Sequence, residues 1–249
     1  MLLLTERGIP YVVSGAFALQ YHTGIWRDTK DLDLFLPAAL VPQALRELDA
    51  AGFRCEVPDP VWLAKAHRDD FFVDLITGMS NGVIVVDDSW IARGRAAIVL
   101  GVATRVLAAE ELIASKLFVL RRERYDGADL VHVIHGTRGE LDWDRVLGIV
   151  GDHWEVLLAA LVLFRYVYPA HTGYVPRVVW AELLGRLQRE IADPDRAAQF
   201  RGSLVDEKMF AIDVNEWGLA NLLKGYREQR RPQTPDAGVS CADGGAADK

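Results

Sequence analysis

Tyr11-Val12-Val13-Ser14-Gly15-Ala16-Phe17-Ala18-Leu19, followed across a polar turn (24–30) by Asp31-Leu32-Asp33-Leu34-Phe35-Leu36, decides the fold of this chain. Pro10 and Ser14-Gly15 bound an apolar run of the kind that forms a buried strand. The alternation from Asp31 to Leu34 reads as a second strand, and its two-residue period puts both carboxylates on one face. Two like charges beside an apolar core repel each other and are costly to desolvate unless a cation neutralises them. A divalent metal ion does so most simply. Carboxylate oxygens with few His or Cys nearby favour magnesium or manganese over zinc.

Upstream, residues 2–8 read as the last turns of a helix that feeds strand 11–13. Residues 16–21 are good helix formers, so Ser14 and Gly15 fall at a helix N-terminus, where outward N–H groups can take up phosphate oxygens. Downstream, Leu40, Ala44, Leu45 and Leu48 give helical spacing over 37–51, and 53–57 reads as a strand. Pro58 and Pro60 enclose a loop, and 71–77 is a third strand with Asp74 alone inside it. A lone acid there needs a partner, either the metal or a structural cation such as Lys65 or Arg68. Segments 97–100 and 103–107 suggest a hairpin about Gly101, after a short apolar run at 83–86 and a helix-like start at Trp90.

From residue 108 the pattern turns helical, over 109–124, 128–135, 142–150, 155–166, 178–192 and 215–229. The expected class is α/β (α+β), with an N-terminal mixed-sheet domain at 1–107 and a mainly helical domain at 108–231. Residues 232–249, rich in Gly, Ala, Asp and Pro, are expected to form a disordered tail.

The 249 residues are 51% hydrophobic, enough for the core of a soluble globular protein. No apolar run is read as a bilayer span, 156–164 being closed by Arg165, and the start lacks the basic lead of a signal peptide. Cys55 and Cys241 make no disulfide framework, so a reducing cytoplasm is the expected compartment, with no membrane contact. A formal charge of −7 argues against a general nucleic-acid coat, although arginines cluster at 121–124 and 227–231. The six histidines show no metal-ligand grouping, and there is neither a nucleophile elbow nor a Gly-Lys-Ser phosphate loop. Trp26, Trp62 and Trp90 could stack on a base or simply pack.

Asp31, Asp33 and Asp74 on two strands could hold two metal ions, one activating a hydroxyl nucleophile and one binding a triphosphate and its leaving group. Such a site moves a nucleoside monophosphate from a nucleoside triphosphate to an acceptor hydroxyl. Here the residues resemble a known family. Ser14-Gly15, a helix, Asp31-x-Asp33 and a later Asp74 look like the nucleotidyltransferase superfamily whose best-known member is DNA polymerase beta. Ser14-Gly15-Ala16-x-Ala18-Leu19, then Gly24-x-x-Arg27-x-Thr29-Lys30-Asp31-Leu32-Asp33, is similar to the bacterial group that includes nucleotidyltransferase-type toxins of abortive-infection systems. Lys116 with Arg124-Tyr125-Asp126-Gly127-Ala128-Asp129 matches that group loosely, and the usual Gly-Gly or Gly-Ser pair is here Ser-Gly.

The resemblance covers residues 9–135 and implies roles. Asp31 and Asp33 would bind the metal and triphosphate, and Asp74 would complete a second metal position and help activate the acceptor. Ser14, Gly15, Arg27, Thr29, Lys30, Lys116 and Asp126 would form the nucleotide-binding set, with a structural salt bridge the alternative for Arg27 and Lys30 and a helix cap for Asp126. The implied acceptor is a hydroxyl of RNA, including transfer RNA, of protein or of a small molecule, and an antitoxin-like partner is implied by the toxin group. A non-catalytic relative that keeps the fold for binding or regulation, and a nucleotide-sugar glycosyltransferase with a D-x-D motif, are the alternatives.

Overall fold

The computed structural model describes residues 1–231; the tail expected at 232–249 lies outside them. In chain order the elements are α1 (Leu2–Glu6), β1 (Val12–Val13), α2 (Gly15–Thr23), β2 (Asp31–Phe35), α3 (Val41–Ala50), β3 (Arg54–Asp59), β4 (Leu63–Arg68) and β5 (Phe71–Ile76). They continue with α4 (Asp88–Arg93), β6 (Arg95–Val99), β7 (Val102–Val106), α5 (Ala109–Lys116), β8 (Leu120–Arg121) and β9 (Arg124–Tyr125). The rest is helical: α6 (Gly127–Gly136), α7 (Trp143–Val150), α8 (Trp154–Val167), α9 (Arg177–Ala192), α10 (Gly202–Val205), α11 (Ala211–Asn215) and α12 (Leu222–Arg230).

Seven strands form one mixed sheet in the order β3-β4-β5-β2-β1-β7-β6. β2 runs parallel to β5 and antiparallel to β1, while β1 and β7 are parallel. Strand alternation sorts the two faces. Cys55 and Ala66 are paired across β3 and β4, and the Cys55 thiol reaches the Leu45 carbonyl, so α3 covers that face. Glu56, Lys65, Asp74 and Asp33, one position out of phase, therefore lie on the opposite face.

The core is one cluster that runs from Leu4 and Val12 through Leu34, Leu75 and Leu112 to Leu157, Phe164 and Leu183. In α8, Leu157, Leu161 and Phe164 repeat at helical spacing and are fully buried, each stabilising the fold by about 1.5–3 kcal/mol relative to exposure. The stretch Trp143–Val167 is long and apolar enough to cross a membrane by length and composition, which corrects the expectation that no run is. Here a 3-10 turn at Gly151–His153 interrupts it, and α8 packs on α6 and α9.

Three other expectations are corrected. The loop between Pro58 and Pro60 is instead the end of β3 and the approach to β4, a strand absent from the sequence reading. β3 is an edge strand whose register shifts between Glu56 and Asp59, which is where a sheet tolerates proline, and the alanines of β4 disguised it because alanine has low strand propensity. The helix expected over 109–124 stops at Lys116, and the arginine-rich remainder folds as the β8–β9 hairpin. The helix expected over 215–229 is divided between α11 and α12, with Gly218 in the left-handed region between them.

Candidate active site

Register brings the three acids together. Asp33 on β2 and Asp74 on β5 are direct partners in the parallel pair, and Asp31 lies two residues earlier on the same face. One oxygen from each lies within 4.8 Å of the others. Beside them β1 ends at Ser14, whose N–H donates to the Asp33 carbonyl at 2.8 Å. The chain then turns abruptly at Gly15, with φ of +58°. A Cβ there would sit 2.0 Å from Asp33 Oδ2, so only glycine lets α2 start against the carboxylate. Glycine in the second place of the pair is therefore what this turn requires.

Each acid has its own surroundings. The Thr29 hydroxyl donates to the Asp31 carboxylate and accepts from the Asp31 N–H at 3.3 Å. Asp74 is bonded through both oxygens to Lys65 Nζ, at 2.7 and 3.0 Å. Burial, then the charges of Asp31 and Asp74, push the Asp33 carboxyl up to about 7, against weaker pulls from Lys116 and Arg124. Burial also raises Asp74, and the bond from Lys65 offsets this only in part. Three converging carboxylates, one of them destabilised as an anion for want of a cation in contact, are a donor set that fits a hard divalent ion.

A second cluster borders the first. Lys116, at the end of α5, is buried and bonded to Asp126 and Asp129, both at 2.8 Å. Arg124 bonds Asp126 through Nε at 3.1 Å and a terminal nitrogen at 3.0 Å, and Arg27 pairs with Asp129 at 2.6 Å. Burial pushes the Asp126 carboxyl up, but the bonds from Arg124 and Lys116 outweigh it and hold it below the usual range. Asp126 sits at the N-cap of α6 yet makes no side-chain cap bond, because its oxygens are taken by these cations. Arg27 thus finds a structural partner in Asp129 rather than in Asp28 or the triad, and Asp28 accepts from the Trp26 indole instead.

Among the residues expected from sequence, Asp31, Asp33, Asp74, Ser14, Gly15 and Thr29 are joined directly. Lys116, Asp126 and Arg27 form the bordering cluster, and exposed Lys30 joins β2 to β5 only through its carbonyl, which accepts from the Phe72 N–H at 3.3 Å. Arg124, quoted in the charged segment but not placed in the expected nucleotide-binding set, belongs to the bordering cluster. The helix expected over 109–124 gives no reason for it to face the acids, whereas the hairpin turns Arg124 toward Asp126 and Asp33. Trp90, a candidate base stacker, is buried against Phe35, and the Trp62 indole donates to Asp59. Among the described residues His132 and His135 belong to no group that could hold a metal, and His135 stacks on Tyr168 at 4.3 Å.

The family described as "Nucleotidyl transferase of unknown function (DUF2204)" matches residues 1–151, the part that carries the sheet, the triad and the bordering cluster. The chain is a member of this nucleotidyl transferase family. No curated protein matches this nucleotidyl transferase. Similar solved structures include the antibiotic-resistance factor ANT(2'')-Ia in solution, 18% identical over 68% of this chain and 89% of that one, with a TM-score of 0.40. ANT(2'')-Ia in complex with adenylyl-2''-tobramycin is 20% identical over 67% and 93%, with a TM-score of 0.40. An antigenic nucleotidyltransferase-like protein from Paracoccidioides brasiliensis is 16% identical over 69% and 88%, with a TM-score of 0.44.

Proposed function

We propose that this nucleotidyl transferase moves a nucleoside monophosphate from a nucleoside triphosphate to an acceptor hydroxyl of RNA, protein or a small molecule, with magnesium or manganese held by Asp31, Asp33 and Asp74. The observation that carries the reading is the convergence of three carboxylate oxygens within 4.8 Å beside a backbone turn that only glycine can make. The bound ion would supply charge neutralisation of the triphosphate and a lowered pKa for the attacking hydroxyl.

This chain's own residues do the rest. The first N–H groups of α2, freed of a side chain at Gly15, face phosphate oxygens with the favourable end of the helix dipole. Arg124 and Arg27, paired with Asp126 and Asp129 but with side chains 70% and 50% exposed, are the cations assigned to phosphate, while Lys116, only 11% exposed, fixes both aspartates and so holds both arginines in place. Asp74, on the strand next to Asp33, is the carboxylate assigned to help activate the acceptor hydroxyl. The acceptor oxygen bonds to the α-phosphorus, the bond to the bridging oxygen breaks, and pyrophosphate leaves.

Calorimetric titration of each ribonucleoside triphosphate with magnesium is expected to show binding that is lost when Asp31→Ala and Asp33→Ala are combined. Equal heats from parent and double variant would remove the site assignment. The same reading places the protein in the cytoplasm and leaves room for an antitoxin-like partner.

A further inference from the structure

Asp74 is the member of the triad that already has a cation. Lys65 is its direct cross-strand partner on β4, and Nζ bonds both carboxylate oxygens, at 2.7 and 3.0 Å. The same ammonium lies 4.3 Å from the centre of the Phe72 ring. On its other side Lys65 is paired in register with Glu56 of β3, whose carboxylate is held by His67 at 2.8 Å and by Arg54 at 3.7 Å. The row Asp33, Asp74, Lys65, Glu56 therefore crosses four strands on one face, with a lysine between two carboxylates. Directly opposed residues have Cβ atoms about 4.5–5.5 Å apart, a span that a lysine side chain covers in either direction.

We propose that Lys65 is a movable counter-ion that holds Asp74 out of the metal site, so that the resting protein binds one divalent ion at Asp31 and Asp33 and Asp74 joins only when Lys65 turns toward Glu56. The inference rests on the metal site described under Proposed function. Its physical basis is competition for the same oxygens. A divalent ion needs a carboxylate oxygen at about 2.0–2.1 Å, and an ammonium already bonded to both oxygens repels it strongly even at an effective dielectric constant of about 20. The strand pairing also provides a destination: with Lys65 on Glu56, the ammonium keeps a carboxylate partner and is never left uncompensated. Lys65 is thus a positioning residue that acts through Asp74.

The test is calorimetric titration of manganese into the nucleotide-free full chain, comparing the parent with Lys65→Met, Lys65→Arg and Asp31→Asn, each checked for folding by its thermal melt. One ion is expected to bind the parent. Lys65→Met is expected to bind two, or one about tenfold more tightly or better, and Lys65→Arg, which keeps the charge, is expected to behave as the parent. A lysine needed only for structure gives the opposite sign, since its loss weakens metal binding. If Asp31→Asn abolishes the parent's binding but Lys65→Met matches the parent or binds more weakly, this inference is overturned and the metal site stands. If neither the parent nor Lys65→Met binds manganese, the metal site falls and this inference with it.

Discussion

Asp33 carries the greatest electrostatic load of any residue in the site. It is flanked by Asp31 and Asp74, and Gly15 approaches so closely that no side chain can shield it. Its carboxyl is raised from 3.8 to about 7, so the folded protein holds this proton more tightly than the unfolded chain does. Stability from this group is therefore fully present below about pH 4 and is lost as pH rises through about 7. Asp33→Asn removes the buried charge and is expected to raise the melting temperature of the metal-free protein at pH 8 by a few degrees, on the order of 1–2 kcal/mol, with no gain at pH 4. Thermal melts at the two pH values check this; an equal shift at both would show that the charge is not what costs stability. Because a metal ligand must be deprotonated, divalent-ion affinity should climb over the same range.

At the scale of elements, the loop that follows β5 is clasped by the C-terminal helices. Asn81 is buried, donates to the Leu204 carbonyl at 3.1 Å and accepts from the Val83 N–H at the same distance. Arg227 of α12 donates to the Ser80 carbonyl at 2.7 Å and reaches both oxygens of Asp59, while Arg230 donates to the Gly82 carbonyl at 3.3 Å. Arg121 of β8 bonds the Ser80 hydroxyl, and Asp206 accepts the Arg122 N–H at 3.1 Å, so the hairpin that presents Arg124 is fixed by the same segment. Asn81→Ala leaves the Leu204 carbonyl without its partner and is expected to cost about 1–3 kcal/mol in chemical denaturation. It should also speed proteolytic cleavage within 202–230. Unchanged protection there would mean that the arginine contacts suffice to hold the clasp.

For the whole molecule, the sheet and the helical part are joined by buried charge. Glu111 of α5 is fully buried and meets Arg145 of α7 at 2.9 Å and Arg93 of α4 at 3.3 Å. Arg93 also reaches Asp142 at 3.1 Å, and Glu110 accepts the Asp142 N–H at 2.8 Å. Glu111→Ala removes the buried carboxylate that both arginines share, leaving Arg93 with Asp142 and Arg145 with the Ser89 hydroxyl at 2.8 Å, and is expected to destabilise the protein by about 1–3 kcal/mol. A urea midpoint close to that of the parent would show that the arginines find other partners. The junction lies within the part of the chain that the family match covers, whereas the clasp by α12 lies beyond it.

The local alphabet of this chain determined the site's core. A period of two put Asp31 and Asp33 on one face, an apolar strand marked Asp74 as an acid in need of a cation, and Ser14-Gly15 marked a turn before a helix. These are effects of neighbouring residues, so they are legible without the fold. Tertiary structure alone decided the pairings. The adjacency of Asp33 and Asp74 depends on a parallel register between strands separated by about forty positions in sequence, and the Lys65 bond depends on a strand that alanines concealed. Likewise Lys116, Arg124 and Arg27 meet two aspartates only because a hairpin and a helix start face the turn before β2. Sequence spacing sets which face a side chain occupies; the partner on the next strand is set by packing and register, which no local pattern encodes.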